Sequence, residues 1–194
     1  MSGFLDESLA GFCETIAAET SAPGGGSVAA IVGGMASSLA AMAARFSTEH
    51  WEGAAGAVAQ AEAMRARLLP LAEEDARAYE NVLLALRTPN DADGDVRDAA
   101  IGDALSRAAD VPLEIAETCV DVAMLAVELV ERGNPNLHGD AATAALLAEA
   151  AVRASANLVE INLGTREGDE RLERARALVE IVRRTARRAL HPTQ

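Results

Sequence analysis

The sequence predicts an all-α fold, an antiparallel bundle of six to eight helices forming one domain over residues 1–194, and three observations carry that expectation. Half of the residues are apolar but only 3% are aromatic, so the apolar content is mostly Ala, Leu and Val. That set suits closely packed helices better than strands. Apolar residues recur at three- and four-residue spacing, and no stretch alternates as a half-buried strand would. The breaks between periodic stretches are short and marked by Gly, Pro and Asn, as expected where neighbouring helices turn back on one another.

From Ser2 to Glu19 the apolar positions Phe4, Leu5, Leu9, Phe12, Cys13, Ile16 and Ala17 form one face of an amphipathic opening helix. Ser21-Ala22-Pro23-Gly24-Gly25-Gly26 must end it, and Ser27 is placed to cap an uncharged helix that runs to about Phe46. A third helical stretch extends from about Glu52 to Arg87 with an interruption or kink near Pro70, and Thr88 to Asp95 reads as a loop. A shorter helix reaches about Ala109. Asp110-Val111-Pro112 then reads as a helix start with a capping acid, and the helix it opens ends at Gly133. Asp140 opens a helix to about Leu163, stopped by Gly164. The last helix, Asp169 to Leu190, has acids at its start and Arg183, Arg184, Arg187 and Arg188 at its end, as the helix dipole favours.

The formal net charge is -13, and all 17 basic residues are Arg. A chain so acidic is not expected to grip nucleic acid or an anionic membrane, and any anionic ligand needs a locally positive site. Cys13 and Cys119 have no metal or redox spacing and are expected to be buried, reduced thiols. Asp6 and Glu7 stand where a secretory signal would be basic, so a cytoplasmic location is expected. Ser27 to Ala44 is uncharged and nearly long enough to span a bilayer, but it consists largely of Gly, Ala and Ser. It reads as a helix buried among other helices through small side chains. On a lone small domain such a helix would leave apolar surface exposed, so a homodimer is expected.

Asp75 is the first candidate for chemistry. It lies in the stripe Leu68, Leu71, Ala72, Tyr79, Val82, Leu83 and Leu86, four residues from both Leu71 and Tyr79. Burial raises a carboxyl pKa toward the range useful for proton transfer, although an Arg partner across the bundle or a place at the margin of the stripe would make it structural. Gly24, Gly25 and Gly26 lead into a helix N-terminus, where free N–H groups can meet an anion; a turn followed by tight packing explains the same residues. His138 and Asp140 sit in a polar stretch at a helix start, by default as a surface histidine and an N-cap. Asn162, on an otherwise apolar face, either hydrogen-bonds a heterocycle or closes its helix before Gly164. The Arg-rich final helix is expected to be a solvated face with Glu180 paired to Arg184. His50, His138 and His191 lack ligand spacing, and no metal site is expected.

Ala22-Pro23-Gly24-Gly25-Gly26-Ser27-Val28-Ala29-Ala30, Asp75 with Tyr79, Val111-Pro112-Leu113, Gly133-Asn134 followed by Asp140, and Ile161-Asn162-Leu163 occur in an order and spacing that spans nearly the whole chain. They resemble the cyclodeaminase domain of formiminotransferase cyclodeaminase and its stand-alone relatives, the bacterial methenyltetrahydrofolate cyclohydrolases. The resemblance implies an all-helical homodimer acting on the one-carbon unit of tetrahydrofolate, with a folate substrate and no metal or other cofactor. Asp75 matches the proposed proton acceptor of that family and Asp140 the acid after the Gly-Asn loop. Gly24, Gly25, Gly26, Ser27, Arg45, Tyr79, His138 and Asn162 are the expected substrate contacts, with Arg45 or the Gly24–Ser27 backbone meeting the glutamyl carboxylates. The chain departs from the pattern at Gly139, where the family has Ser, and at Leu158, where it has Asn, with Asn157 about 100° around the helix. It also has Thr48 to Glu52 in place of a basic stretch.

Cyclodeamination, which must protonate an amine leaving group, is expected over cyclohydrolysis on the premise that Asp140 and Asn162 converge on Asp75 in one cleft. A helical dimer that has lost catalysis and serves as a folate-binding or scaffold protein is the alternative of another class.

Overall fold

A computed structural model of the chain describes residues 3–87, 94–164 and 168–191. All regular structure among them is helical: 3-10 turns at Phe4–Asp6 and Pro135–Leu137, and α1 (Leu9–Ala17), α2 (Gly25–Arg45), α3 (Ala54–Leu86), α4 (Gly94–Ala108), α5 (Asp110–Arg132), α6 (His138–Leu163) and α7 (Glu170–Leu190).

Pairings between side chains fix the direction of each long helix. Ser27 meets Ala72, Gly33 and Gly34 face Leu68 and Leu69, and Arg45 pairs with Glu62, so α3 runs antiparallel to α2. Gly33 also faces Cys119, and the Ser47 hydroxyl just beyond α2 accepts from the Asn134 N–H at 2.9 Å; α5 therefore runs parallel to α2. Gly25 lies beside Leu158, which turns α6 the other way. Arg174–Glu117 at 2.8 Å and Arg188–Glu131 at 2.7 Å share one sequence offset of 57 residues, which sets α7 parallel to α5. The bundle thus gathers the N-termini of α2, α5 and α7 at one end with the C-terminal halves of α3 and α6.

Close approach rests on small side chains. The buried residues of α2 are all Gly, Ser or Ala, and a Cβ at Gly33 would stand 2.5 Å from Cys119 Sγ and 3.2 Å from Leu68 Cδ1. By length and hydropathy Gly25–Arg45 could cross a membrane; here it packs against α3, α5 and α6. The Cys119 thiol is enclosed there, and burial pushes its pKa up to about 12, so it stays protonated.

Several sequence expectations are corrected. The opening helix is divided, because the Ser8 side chain accepts from the Gly11 N–H and caps α1 only from Leu9. Cys13 is exposed on that short helix. α2 starts at Gly25 with Gly24 as its cap residue, so Ser27 lies inside the first turn. α3 passes Pro70 without a break, the ring lying on an exposed face. Residues 88–93 of the expected loop fall outside the described residues, and Gly94 and Asp95 are already helical. Neither Asp110 nor Asp140 is an N-cap: each is within the first turn, after Ala109 and Leu137. Asp169 does cap α7, accepting from the Arg171 N–H, and Glu180 pairs with Arg183 at 3.5 Å, not with Arg184.

Two glycines test how far the packing depends on the missing Cβ. Gly33→Val should lower the unfolding free energy by about 2–3 kcal/mol, since the buried Cys119 and Leu68 cannot yield freely. Gly56→Ala, which meets nothing within 4 Å on α3, should raise it by about 0.5 kcal/mol through helix propensity. Urea titration of both variants measures the contrast.

Candidate active site

At the end of the bundle where α2 begins, the chain leaves a pocket of about 310 Å³ whose lining includes Gly24, Gly25, Gly26, Asp75, Tyr79 and Asn162. Four elements build it. The segment before α2, where the Ala22–Pro23 bond is cis, supplies one wall through Ser21 and Ala22; α3 supplies Asp75 and Tyr79, α6 supplies Leu158, Ile161 and Asn162, and α4 ends there at Ala108.

The position of Asp75 follows from the start of α2. A helix opens with N–H groups that have no intrahelical acceptor, and no side chain of the local sequence caps α2. Asp75 reaches across from α3 instead: its Oδ2 accepts from the Ser27 N–H at 2.9 Å and lies 3.3 Å from Ser27 Oγ. The same hydroxyl donates to the Ala72 carbonyl at 2.7 Å, which ties the two helices in register. Gly26 makes this approach feasible, because a Cβ there would overlap the carboxylate. The Gly25 and Gly26 N–H groups have no hydrogen-bond partner among the described residues, and both residues line the pocket at the positive end of the α2 dipole.

Burial drives the Asp75 pKa above the ordinary carboxylate value, while the side-chain and backbone bonds from Ser27 pull it down without cancelling the rise. Asp75 has no Arg partner among the described residues, so the structural alternative of a cross-bundle ion pair is not realised. Asn162 neither closes its own helix nor leaves its amide idle: Nδ2 donates to the Ala108 carbonyl at 2.9 Å, on the pocket wall. That wall is braced by Arg171, which bonds the Ser106 carbonyl at 2.8 Å and pairs with Asp110 at 2.6 Å and Asp169 at 2.8 Å. Those carboxylates hold the guanidinium charged, raising its pKa further. Tyr79 is 46% exposed at the mouth, although its spacing placed it within the apolar stripe.

Three expected site residues lie elsewhere. Asp140 is 18 residues from Leu158 along α6, about 27 Å at the helical rise, and His138 is farther still. Arg45 closes the opposite end of α2 and is paired with Glu62. The convergence of Asp140 with Asp75 therefore does not occur within one chain. Ala108 was missed by sequence reasoning, since its contribution is a backbone carbonyl and a wall, neither of which leaves a mark in residue type. Among the described residues no group of three or more His, Cys, Asp or Glu side chains is placed to hold a metal. The arrangement can hold a flat polar ligand against open amides and exchange a proton with it at Asp75.

Comparison with known proteins finds relatives over most of the chain. The family model described as formiminotransferase-cyclodeaminase matches residues 8–180. Methenyltetrahydrofolate cyclohydrolase of Methylorubrum extorquens is 32% identical over 165 residues, 81% of this chain and 79% of that protein. Formimidoyltransferase-cyclodeaminase of Mus musculus is 34% identical over 167 residues, 82% of this chain but 31% of that longer protein. The crystal structure of formiminotetrahydrofolate cyclodeaminase from Thermotoga maritima superposes with a TM-score of 0.83 at 29% identity, covering 97% of this chain and 98% of that one.

The raised pKa of Asp75 has a consequence for stability. Between the ordinary value of 3.8 and the raised one, the folded protein holds more protons than the unfolded chain, so this contribution is full below that window and is lost as pH rises through the folded pKa. Asp75→Asn keeps an oxygen acceptor for the Ser27 N–H and removes the titration. The unfolding free energy of the variant should therefore gain on the parent as pH rises from 4 toward 8 in urea titrations; a gain in the other direction would show that the Ser27 bonds outweigh burial.

Proposed function

The chain belongs to the formiminotransferase-cyclodeaminase family, and from that premise we propose that its pocket binds tetrahydrofolate carrying a one-carbon unit and that the enzyme is a formiminotetrahydrofolate cyclodeaminase. The observation that carries the proposal is Asp75, a carboxyl raised in pKa by burial and held beside open helix amides and the Asn162 amide in one pocket. At about 310 Å³ the pocket is near the lower limit of ligand sites, roughly 300–1,000 Å³. The pterin end and its one-carbon bridge fit inside, while the aminobenzoyl-glutamate tail passes Tyr79 and Ile161 at the mouth.

The chemistry needs one proton removed and one delivered. Nitrogen 10 attacks the carbon of the protonated formimino group on nitrogen 5, which closes the five-membered ring, and its proton passes to ionised Asp75. The neutral acid then protonates the amino nitrogen of the tetrahedral adduct, ammonia departs, and the methenyl cation is left beside the regenerated carboxylate. A carboxyl whose pKa burial has raised above the ordinary carboxylate value is suited to both steps.

Cyclohydrolysis is the second reading, and the position of Asp140 favours it. With that acid at the far end of the bundle, the pocket offers one carboxyl, and attack of water on the methenyl carbon needs only one base to begin. In this reading Asp75 activates the water, and its charge stabilises the cationic ring. The Asp75–Ser27 arrangement in the pocket supports catalysis over a scaffold role.

The outer face of α2 supports a proposal of self-assembly. Met35 and Phe46 are 43% and 62% exposed, with Leu39 and Met42 half-buried between them. In a chain of net charge -13 two copies repel except where carboxylates are absent, and residues 28–44 carry no charge. We therefore place a homodimer contact on this face. Light scattering at micromolar concentration should give twice the chain mass, and Met35→Glu should return the monomer mass.

The reaction is tested by measuring kcat/KM for formiminotetrahydrofolate and for methenyltetrahydrofolate in one preparation, following the methenyl chromophore, since that ratio reports transition-state preference. Deamination should be the faster, and Asp75→Asn should abolish both reactions while remaining folded. Hydrolysis faster by about tenfold, or about 1.4 kcal/mol in barrier, would replace the deaminase assignment. Folate binding without turnover of either substrate would make the protein a binding module.

A further inference from the structure

The Ser27 hydroxyl has one proton and two acceptors, the Ala72 carbonyl at 2.7 Å and Asp75 Oδ2 at 3.3 Å. It is fully buried, so water does not compete for that proton. Oδ2 also receives the Ser27 N–H at 2.9 Å, whereas Oδ1, lying against Gly26, makes no hydrogen bond among the described residues. A neutral carboxyl carries its proton on the oxygen that is not accepting, and an ionised one attracts any donor able to turn toward it.

We propose that Ser27 is a positioning residue whose hydroxyl follows the charge of Asp75, bonding the Ala72 carbonyl when the carboxyl is neutral and turning to Oδ2 when it is ionised, so that the proton exchanged with substrate is held at Oδ1. The hydroxyl rotor supplies a second bond to the base form and withdraws it from the acid form. This fixes which oxygen reacts without requiring the carboxyl to rotate. It also gives Ser27 a role directed at Asp75 in place of the substrate contact expected from the sequence. The proposal rests on the reading of Asp75 as the proton-transfer group.

The surroundings leave few other groups to influence this titration. The carboxyl meets Gly26 and Ser27 of α2 and shares its pocket with Ala108 of α4 and with Leu158 and Asn162 of α6; Tyr79, one turn along α3, is the other ionisable side chain lining the pocket. The direction of the Ser27 effect agrees with this picture, since its side-chain bond acts to lower the carboxyl pKa.

The test is a carbon-13 carboxyl titration of Asp75 in the whole protein, its resonance assigned by loss in Asp75→Asn. Ser27→Ala should move the midpoint upward and Ser27→Thr should restore it toward the parent value; Ser27→Gly is a second deletion of the hydroxyl, with helical circular dichroism confirming that each variant is folded. The acid limb of kcat/KM against pH should move with the midpoint, with roughly three- to tenfold loss in Ser27→Ala on the acid side of the midpoint that is recovered at higher pH. A midpoint unchanged or lowered in both hydroxyl deletions, or Ser27→Thr behaving as Ser27→Ala, overturns the proposal. Full turnover by Asp75→Asn would instead remove the catalytic reading of Asp75, and the carbon-13 midpoints would still decide whether the hydroxyl follows its charge.

Discussion

The bond from the Ser27 N–H to Asp75 is the contact on which the rest of the structure depends. It caps a helix that has no cap of its own, sets the register between α2 and α3, and places a carboxyl in a pocket. Each role constrains the neighbouring sequence. The carboxylate can reach α2 only if Gly26 lacks a Cβ, and α3 can stay close along the following turns only if α2 presents Gly, Ala and Ser. The Ala-rich helix and the glycine block are therefore two parts of one solution, since close helix packing carries the acid to an N-terminus that needs it.

Much of this was legible in the sequence. Helical periodicity located the long helices, because each buries a continuous apolar face, and Asp75 stood out as a charge within such a face. Gly24 to Gly26, Tyr79 and Asn162 also lie on the pocket. What misled was the helix starts. Ser27, Asp110 and Asp140 have the residue types that cap helices, yet the caps are Gly24, Ala109 and Leu137. Local chemistry marks a residue able to cap, whereas here Asp75 is recruited from 48 residues away for Ser27 and Arg171 engages Asp110. The placement of Asp140 failed for a simpler reason: a motif gives order along the chain, and a 26-residue helix puts its ends about 39 Å apart.

The positive potential of the pocket is local to one helix start. The N-termini of α2, α5 and α7 share this end with the C-termini of α3, α4 and α6, whose dipoles offset theirs, and it is the start of α2, on the pocket itself, that supplies partial positive charge without any basic residue lining the pocket. Such a field suits an acidic chain proposed to bind an anionic folate. The Arg side chains are mostly engaged elsewhere, as in the Arg45–Glu62, Arg67–Glu114 and Arg188–Glu131 pairs, so backbone amides are the available source of positive potential. Losing the basic stretch after α2 therefore does not deprive the pocket of attraction, because that segment lies at the opposite end.

Asp75 sits between two limits, and the balance gives it a use. A carboxylate holding several backbone N–H bonds would be locked as an anion, with a pKa too low to return a proton to a leaving amine. One buried without donors would remain neutral and could not remove a proton in the first place. The chain supplies a single N–H and a hydroxyl with another acceptor within reach, enough to restrain the rise caused by burial without reversing it. A helix start missing two of its usual partners and a carboxyl missing some of its usual donors thus satisfy each other incompletely. The remaining capacity lies in the Gly25 and Gly26 amides and in Oδ1, which have no hydrogen-bond partner among the described residues, on residues that line one pocket, so that donors and an exchangeable proton are available there together.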